Sequence, residues 1–237
     1  MPNSYFQFKQ FIINQDRCTM KVSTDSCILG AWFAGKLSHQ NTVLDIGAGT
    51  GLQMLMMAQK NWAHIDGIEL DQDAWQQAKE NIESSAWKDR LTIYSGDIRT
   101  YPFDRKYQFI ISNPPFYEND LESPSVKKNQ TRHAATLNFQ ELLSAVERLL
   151  EPDGSFGLLL PYHRKNDLLE YANVHSFWPG HQLNIRQTPR HNFFRSVIWF
   201  SKTKPAKISN AELIILDEAG KYTDDFVNLM KDYYLWL

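Results

Sequence analysis

At 237 residues and 27.6 kDa, with 43% apolar and 22% charged side chains, the chain can bury the core of one large α/β domain, and its composition excludes a disordered or fibrous protein. No apolar run reaches the roughly 20 residues of a membrane span, and the N-terminus lacks the basic-then-apolar order of a signal peptide. Cys18 and Cys27 have neither metal-ligand nor disulfide-framework spacing, so a reducing, cytoplasmic setting is expected, and the net charge of −2 by itself selects no partner.

Residues 1–40 mix aromatic and polar positions, with a short helix expected over Ser26–Lys36. From there strand and helix patterns alternate: strand Thr42–Ile46, helix Leu52–Asn61, strand His64–Leu70, helix Asp71–Ser85, strand Leu91–Ser95 and strand Tyr107–Ser112. Helix Phe139–Leu150 leads through Gly154 into strand Ser155–Pro161, followed by helix Arg164–His175. Two β-rich stretches, Gln182–Gln187 and Ser196–Ser201, lack a helix between them and are expected to pair antiparallel. Glu212–Leu216 reads as an extra strand, and the amphipathic tail Thr223–Leu237 as a terminal helix. Alternating strands and helices imply a doubly wound, mostly parallel sheet covered on both faces, here with an antiparallel strand near one edge.

Val43-Leu44-Asp45-Ile46-Gly47-Ala48-Gly49-Thr50-Gly51 lies between the first of these strands and its helix. Gly47, Gly49 and Gly51 let the backbone turn sharply and approach a ligand at the carboxyl end of the strand. The spacing is neither that of a dinucleotide fingerprint nor that of a phosphate loop, and no lysine follows to reach a phosphate. Asp45 would repel a pyrophosphate but suits the ammonium of a zwitterion, which S-adenosyl-L-methionine carries on its methionyl part. Glu69 closes the second strand, where a carboxylate accepts from ribose hydroxyls. Asp97 follows the third, placed to accept from an adenine amino group, with Ile98 against the ring. Each acid alone reads as a surface or capping carboxylate; three at consecutive strand ends beside a glycine loop point to a cofactor site.

Asn113-Pro114-Pro115-Phe116 ends the fourth strand. Two prolines hold the chain extended and remove backbone donors, which by itself describes a rigid strand exit. The rigidity also suits methylation of an exocyclic amino nitrogen, a poor nucleophile whose lone pair is delocalised into its ring. The Asn113 side-chain oxygen and the Pro114 carbonyl can accept the two amino hydrogens and turn the lone pair toward a sulfonium methyl group, while Phe116 stacks on a flipped-out base. Such transfer depends on positioning and needs no metal. The seven histidines form no metal pattern, and no Pro-Cys pair offers a thiol for carbon methylation.

Between Pro161 and Lys207 eight basic residues face two acidic ones, a run that reads as solvated surface or as a face for a phosphate backbone. From Ile208 onward six acidic residues outnumber two basic ones.

Together these residues resemble the class I methyltransferases, and Asn-Pro-Pro-Phe resembles their amino-methylating branch. The lead-in Phe8-Lys9-Gln10-Phe11 with Cys18-Thr19-Met20-Lys21-Val22-Ser23-Thr24-Asp25, the stretch Ile110–Tyr117 and the ending Tyr233-Tyr234-Leu235 are similar to the bacterial tRNA1(Val) (adenine-37-N6)-methyltransferase family. The resemblance runs from about residue 6 to the C-terminus. It implies a Rossmann-like fold with a seven-stranded sheet in one domain, residues 1–237, whose lead-in (1–40) contributes to the cofactor site and whose end (208–237) adds a strand and a helix. It also implies a cytoplasmic enzyme that uses S-adenosyl-L-methionine to methylate N6 of the adenine beside the anticodon, with tRNA as partner and no metal, membrane or stable protein partner. On that similarity Thr24 and Asp25 contact the methionyl end of the cofactor. Within that picture Tyr117 contacts the substrate, and the polar, turn-rich Glu118–Gln130 reads either as a loop closing over the target nucleotide, with Lys127, Lys128 and Arg132 reaching phosphates, or as a disordered surface loop. Rival readings are methylation of a guanine N2 in ribosomal RNA, methylation of a protein glutamine, and an inactive RNA-binding module of the same fold.

Overall fold

Val43, Leu44, Phe109, Ile110, Val197 and Ile198 supply the alternation that builds the sheet, since successive strand residues face opposite sides. In the computed structural model, which describes residues 3–18, 20–37, 42–114 and 137–237, one member of each adjacent pair enters one core and its neighbour the other. The first core packs Val43, Phe109 and Val197 against the early helices; the second packs Leu44, Ile110 and Ile198 against the later ones.

In chain order the elements are β1 (Tyr5–Gln7), β2 (Ile12–Asn14), α1 (Thr24–Ala34), β3 (Thr42–Ile46), α2 (Leu52–Lys60), β4 (His64–Glu69) and α3 (Gln72–Glu83). There follow β5 (Leu91–Ser95), β6 (Tyr107–Ser112), α4 (Phe139–Leu149), β7 (Leu150–Pro161), α5 (Lys165–Val174), β8 (Trp178–Arg186), β9 (Arg195–Ser201), β10 (Ser209–Ile214) and α6 (Asp224–Met230). β1 and β2 form an antiparallel hairpin. The remaining strands form one sheet in the order β10-β8-β9-β7-β6-β3-β4-β5. Only β9 runs against the others, paired antiparallel to both β7 and β8.

The sheet has eight strands rather than the seven expected. Ser209–Ile214 covers the free edge of β8 in parallel register, Ser209 opposite His181 and Ile214 opposite Arg186, and satisfies backbone groups that an open edge would leave unpaired. The antiparallel β9 therefore sits two strands in from that edge. The terminal helix is also shorter than expected. It ends at Met230, and the chain then turns so that the buried Tyr233 hydroxyl donates to the Met56 carbonyl at 3.0 Å.

Local chemistry sets several boundaries. Asn138 and Glu141 form a capping box at the start of α4, the Glu141 amide donating to Asn138 Oδ1 at 2.8 Å and the Asn138 amide to Glu141 Oε2 at 3.1 Å. α1 lies close against β7 because Gly157 has no side chain there: a Cβ would come within 2.2 Å of the Phe33 ring. After β3 the chain proceeds to β4 and β5 on one side, then returns to β6 and β7 on the other. The crevice at the carboxyl ends of β3 and β6 is thus a topological switch point, where open α/β sheets bind ligands. Among the described residues no helix is long and apolar enough to cross a membrane.

Candidate active site

Parallel register brings the strand ends into one row: Ile46 pairs with Ile68 on one side and Ser112 on the other, and Glu69 pairs with Ser95. The cleft above that row is lined by Gly47, Gly49, Glu69, Asp97, Ile98 and Asn113, with Pro114 beside them. Residues chosen on sequence from four separate strand ends thus share one cavity.

The glycine loop hangs on β4, the Gly47 and Ala48 amides donating to the Ile68 carbonyl at 2.9 and 3.1 Å. Gly47 and Gly49 take φ of +72° and +55°, a left-handed region costly for other residues, and a Cβ on either would meet no atom within 4 Å. The loop therefore presents bare backbone to open space. Gly51 differs: with φ +79° it begins α2 and packs toward Ala78 of α3, so it shapes the loop without lining the cleft.

Asp45 lies at the root of this loop, is 1% exposed and sits behind the cleft rather than among the residues that line it. Neither carboxylate oxygen has a hydrogen-bond partner among the described residues. Burial first, and the Glu69 charge second, push its carboxyl up to about 8. A buried acceptor with nothing to accept from is costly, and a cationic ligand donor would relieve it. An ammonium fits that description and a phosphate does not.

Glu69 braces the loop, one oxygen accepting from the Gly49 amide at 2.9 Å and the other from the Asp71 amide at 2.9 Å. Each oxygen keeps a second lone pair for a ligand hydroxyl. Truncation at this position removes both the brace and the acceptor. Glu69→Ala is expected to weaken cofactor binding by about 10- to 100-fold in calorimetry; affinity equal to wild type would remove Glu69 from the site.

Asp97 is gripped by Arg99, a residue the sequence analysis did not single out. The guanidinium reaches Asp97 Oδ2 at 2.6 Å and Glu141 of α4 at 3.2 Å, and it holds the Asp97 carboxyl below the usual range. Arg148 of α4 donates to the Ile98 and Tyr101 carbonyls at 2.6 and 3.2 Å. These two arginines fix the loop after β5 and with it the buried Ile98 against the cleft.

Thr24 and Asp25 stand apart from these residues and do not line the cleft. The Thr24 side chain meets the Tyr234 hydroxyl. Asp25 faces Arg195 at the start of β9, its Oδ2 accepting from Nε at 2.7 Å. What reaches the cleft from the lead-in is Cys18 and Met20 instead. Pro115, Phe116, Tyr117, Lys127, Lys128, Arg132 and the proposed closing loop Glu118–Gln130 lie outside the described residues.

The basic stretch divides between opposite ends of the sheet. Arg186 closes β8 and Arg195 opens β9 at the cleft end, whereas Lys202 and Lys204 follow β9 at the far end, over the Phe177 and Trp178 rings. At the cleft end Arg186 pairs with Glu212 at 2.9 Å and Arg190 with Glu218 at 3.6 Å, so the acidic C-terminal segment offsets part of that charge. Lys165 lies over the Tyr162 ring, 4.7 Å from its centroid, just beyond the end of β7. Among the described residues no group of three or more His, Cys, Asp or Glu side chains is arranged to hold a metal ion.

Residues 20–163 match the methyltransferase small domain family. The chain is similar to the tRNA1(Val) (adenine(37)-N6)-methyltransferase of Dyadobacter fermentans, at 41% identity over 98% of this chain and 98% of the relative. It is 39% identical to the protein of the same name from Pectobacterium carotovorum, over 98% of this chain and 94% of that one. Among solved structures, a predicted O-methyltransferase from Agrobacterium tumefaciens superposes with a TM-score of 0.69 at 16% identity, covering 87% of this chain and 95% of the other. P. horikoshii TYW2 in complex with MeSAdo gives a TM-score of 0.62 at 14% identity, covering 84% and 71%. At such identities the structural likeness speaks for the fold alone.

Proposed function

The chain belongs to the tRNA1(Val) (adenine(37)-N6)-methyltransferase family, and from that premise we propose that its cleft positions the N6 amino group of adenine 37 in tRNA1(Val) for direct methylation. When bound, S-adenosyl-L-methionine supplies the methyl group on an electrophilic sulfonium. The protein's work is to hold both reactants and to organise the amino nitrogen.

Asp45 anchors the methionyl ammonium, Gly47 and Gly49 lie along the ligand, Glu69 accepts from the ribose, and Asp97 with Ile98 frames the adenine ring. The observation that carries this reading is the buried, unpartnered Asp45 carboxylate at the root of an open glycine loop. Asn113 Oδ1 and the Pro114 carbonyl accept the two amino hydrogens of the target base, drawing the nitrogen toward a pyramidal shape with its lone pair free. Holding that nitrogen at near-attack distance is worth several kcal/mol of the barrier. Outside the described residues, the same reading gives Pro115, Phe116 and Tyr117 roles at the base and Lys127, Lys128 and Arg132 roles at the phosphates. In this reading residues 1–237 act as one methyltransferase domain in the cytoplasm, and Thr24 and Asp25 support the cleft from behind rather than touching the methionyl group.

The test is to supply labelled cofactor to total tRNA, ribosomal RNA and cell protein from a strain lacking the enzyme. Label is expected in tRNA. Label in ribosomal RNA or in protein glutamine, with tRNA blank, would retain the transfer chemistry and overturn the substrate.

A further inference from the structure

Asn113 is useful to an amino group only if its oxygen, not its nitrogen, faces the cleft. The two ends of a carboxamide have nearly the same shape, so steric packing alone does not choose between them. The choice has to be made by a hydrogen bond.

The Asn113 Nδ2 donates to Ser26 Oγ at 3.1 Å. Ser26 is 7% exposed and lies in the first turn of α1. Its hydroxyl is 2.7 Å from Ser23 Oγ, and the Ser23 hydroxyl in turn contacts Asp25 Oδ1. Asp25 Oδ2 accepts from Arg195 Nε at 2.7 Å.

This chain has only one self-consistent direction. A carboxylate beside a guanidinium accepts and does not donate, and a hydroxyl has one proton. The Ser23 proton therefore goes to Asp25, which leaves Ser23 Oγ to accept from Ser26. The Ser26 proton is then committed, so Ser26 Oγ can only accept from Asn113. Turning the amide over would set its oxygen against the Ser26 oxygen with no proton between them. Among the described residues nothing else bonds to the Asn113 side chain.

We propose that Ser26, Ser23 and Asp25, with Arg195 behind them, are positioning residues that fix the orientation of the Asn113 amide and so aim its oxygen at the substrate amino group. The proposal rests on the reading that Asn113 receives that group. It also gives Asp25, which does not line the cleft, a role through Asn113. Arg195 joins this machinery from the antiparallel strand, 170 residues along the chain from Asp25.

The experiment is a double-mutant cycle on methyl transfer to tRNA under single-turnover conditions, using Ser26→Ala, Asn113→Ala and the pair. Ser26→Ala is expected to lower the transfer rate about ten-fold, with KM for tRNA and cofactor affinity at wild-type values. In the Asn113→Ala background the same substitution is expected to change the rate by less than about two-fold, because no amide remains to orient. Equal losses in both backgrounds would show that Ser26 acts through the fold and overturn the proposal. Near-normal turnover by Asn113→Ala alone would overturn the assignment of Asn113 itself, a separate failure. Should Ser26→Ala not fold, Ser23→Ala, at the exposed cap of α1, breaks the chain one step away; a rate loss that persists without Asn113 would again contradict the positioning role.

Discussion

Asn113→Ala is expected to slow methyl transfer by about 100- to 1000-fold while cofactor affinity stays within about two-fold of wild type. The asymmetry follows from where the side chain stands. Asn113 sits at the cleft end of β6, one residue past Ser112, whose hydroxyl donates to the Ile46 carbonyl at 2.7 Å and ties β6 to β3. The strand end is therefore held without Asn113, and the alanine variant is expected to keep the cleft. What is lost is an acceptor for an amino hydrogen, an interaction that strengthens as the nitrogen pyramidalises, so the loss falls on turnover rather than on binding. Calorimetry with cofactor and single-turnover transfer to tRNA separate the two. Near-normal turnover would show that the Asn113 side chain takes no part in organising the nucleophile.

The second large effect is a pair of opposite changes in one variant. Asp45→Asn is expected to raise the melting temperature of the ligand-free protein at pH 8 and above, and to weaken cofactor binding by about 100-fold or more. In the fold the Asp45 carboxyl is raised to about 8, against an ordinary value of 3.8. Between those values the unfolded chain releases a proton that the folded chain retains. Stability contributed by the protonated group is therefore full below about pH 4 and is lost progressively until the folded group ionises near pH 8, a change on the order of 5 kcal/mol. Asparagine does not titrate. The difference in melting temperature, variant minus wild type, should accordingly grow from pH 5 to pH 9. Cofactor should raise the wild-type melting temperature and barely move that of the variant. Parallel pH profiles for the two proteins would mean that Asp45 is not held as a strained, ligand-awaiting acid.

Much of this site could be read before the fold was known, for an identifiable reason. Glu69, Asp97 and Asn113 each close or follow a short β-rich run, and a parallel sheet places every such position on one edge, with Asp45 buried just behind it. The strands Thr42–Ile46, Leu91–Ser95 and Tyr107–Ser112 appear with the boundaries their apolar patterns suggest. What escaped was non-local. Tyr5–Gln7 and Ile12–Asn14 are too short to show a period, and they become a hairpin whose connecting residues pack on the tail: the Phe8 and Tyr234 rings lie 6.1 Å apart, and the Lys9 amide donates to the Tyr233 carbonyl at 2.8 Å. β7 begins at Leu150, earlier than its apolar run, since Glu151, Pro152 and Asp153 occupy its half-buried and exposed start.

The run of positive charge was visible as composition, but its division between the two ends of the sheet depends on the reversal of β9. Likewise Ser26 and Arg195 carry no motif; only the fold brings one 87 residues from Asn113 and the other 170 residues from Asp25. Arg99 belongs to the same class, because its significance lies in spanning from Asp97 to the first turn of α4. Candidate site residues placed by their own strand ends are legible in sequence, while residues that hold them in place are legible mainly in structure.

This cleft is expected to deliver a methyl group to an adenine amino nitrogen in a particular tRNA. The most direct measurement is nucleoside mass spectrometry with position mapping on purified, unmodified tRNA1(Val) after incubation with the wild-type enzyme and S-adenosyl-L-methionine, beside a transcript carrying guanine at position 37. N6-methyladenosine at position 37 of the first, with the second unmodified, is the predicted result. A methyl group on another atom or another nucleotide, or equal modification of both transcripts, would contradict the account.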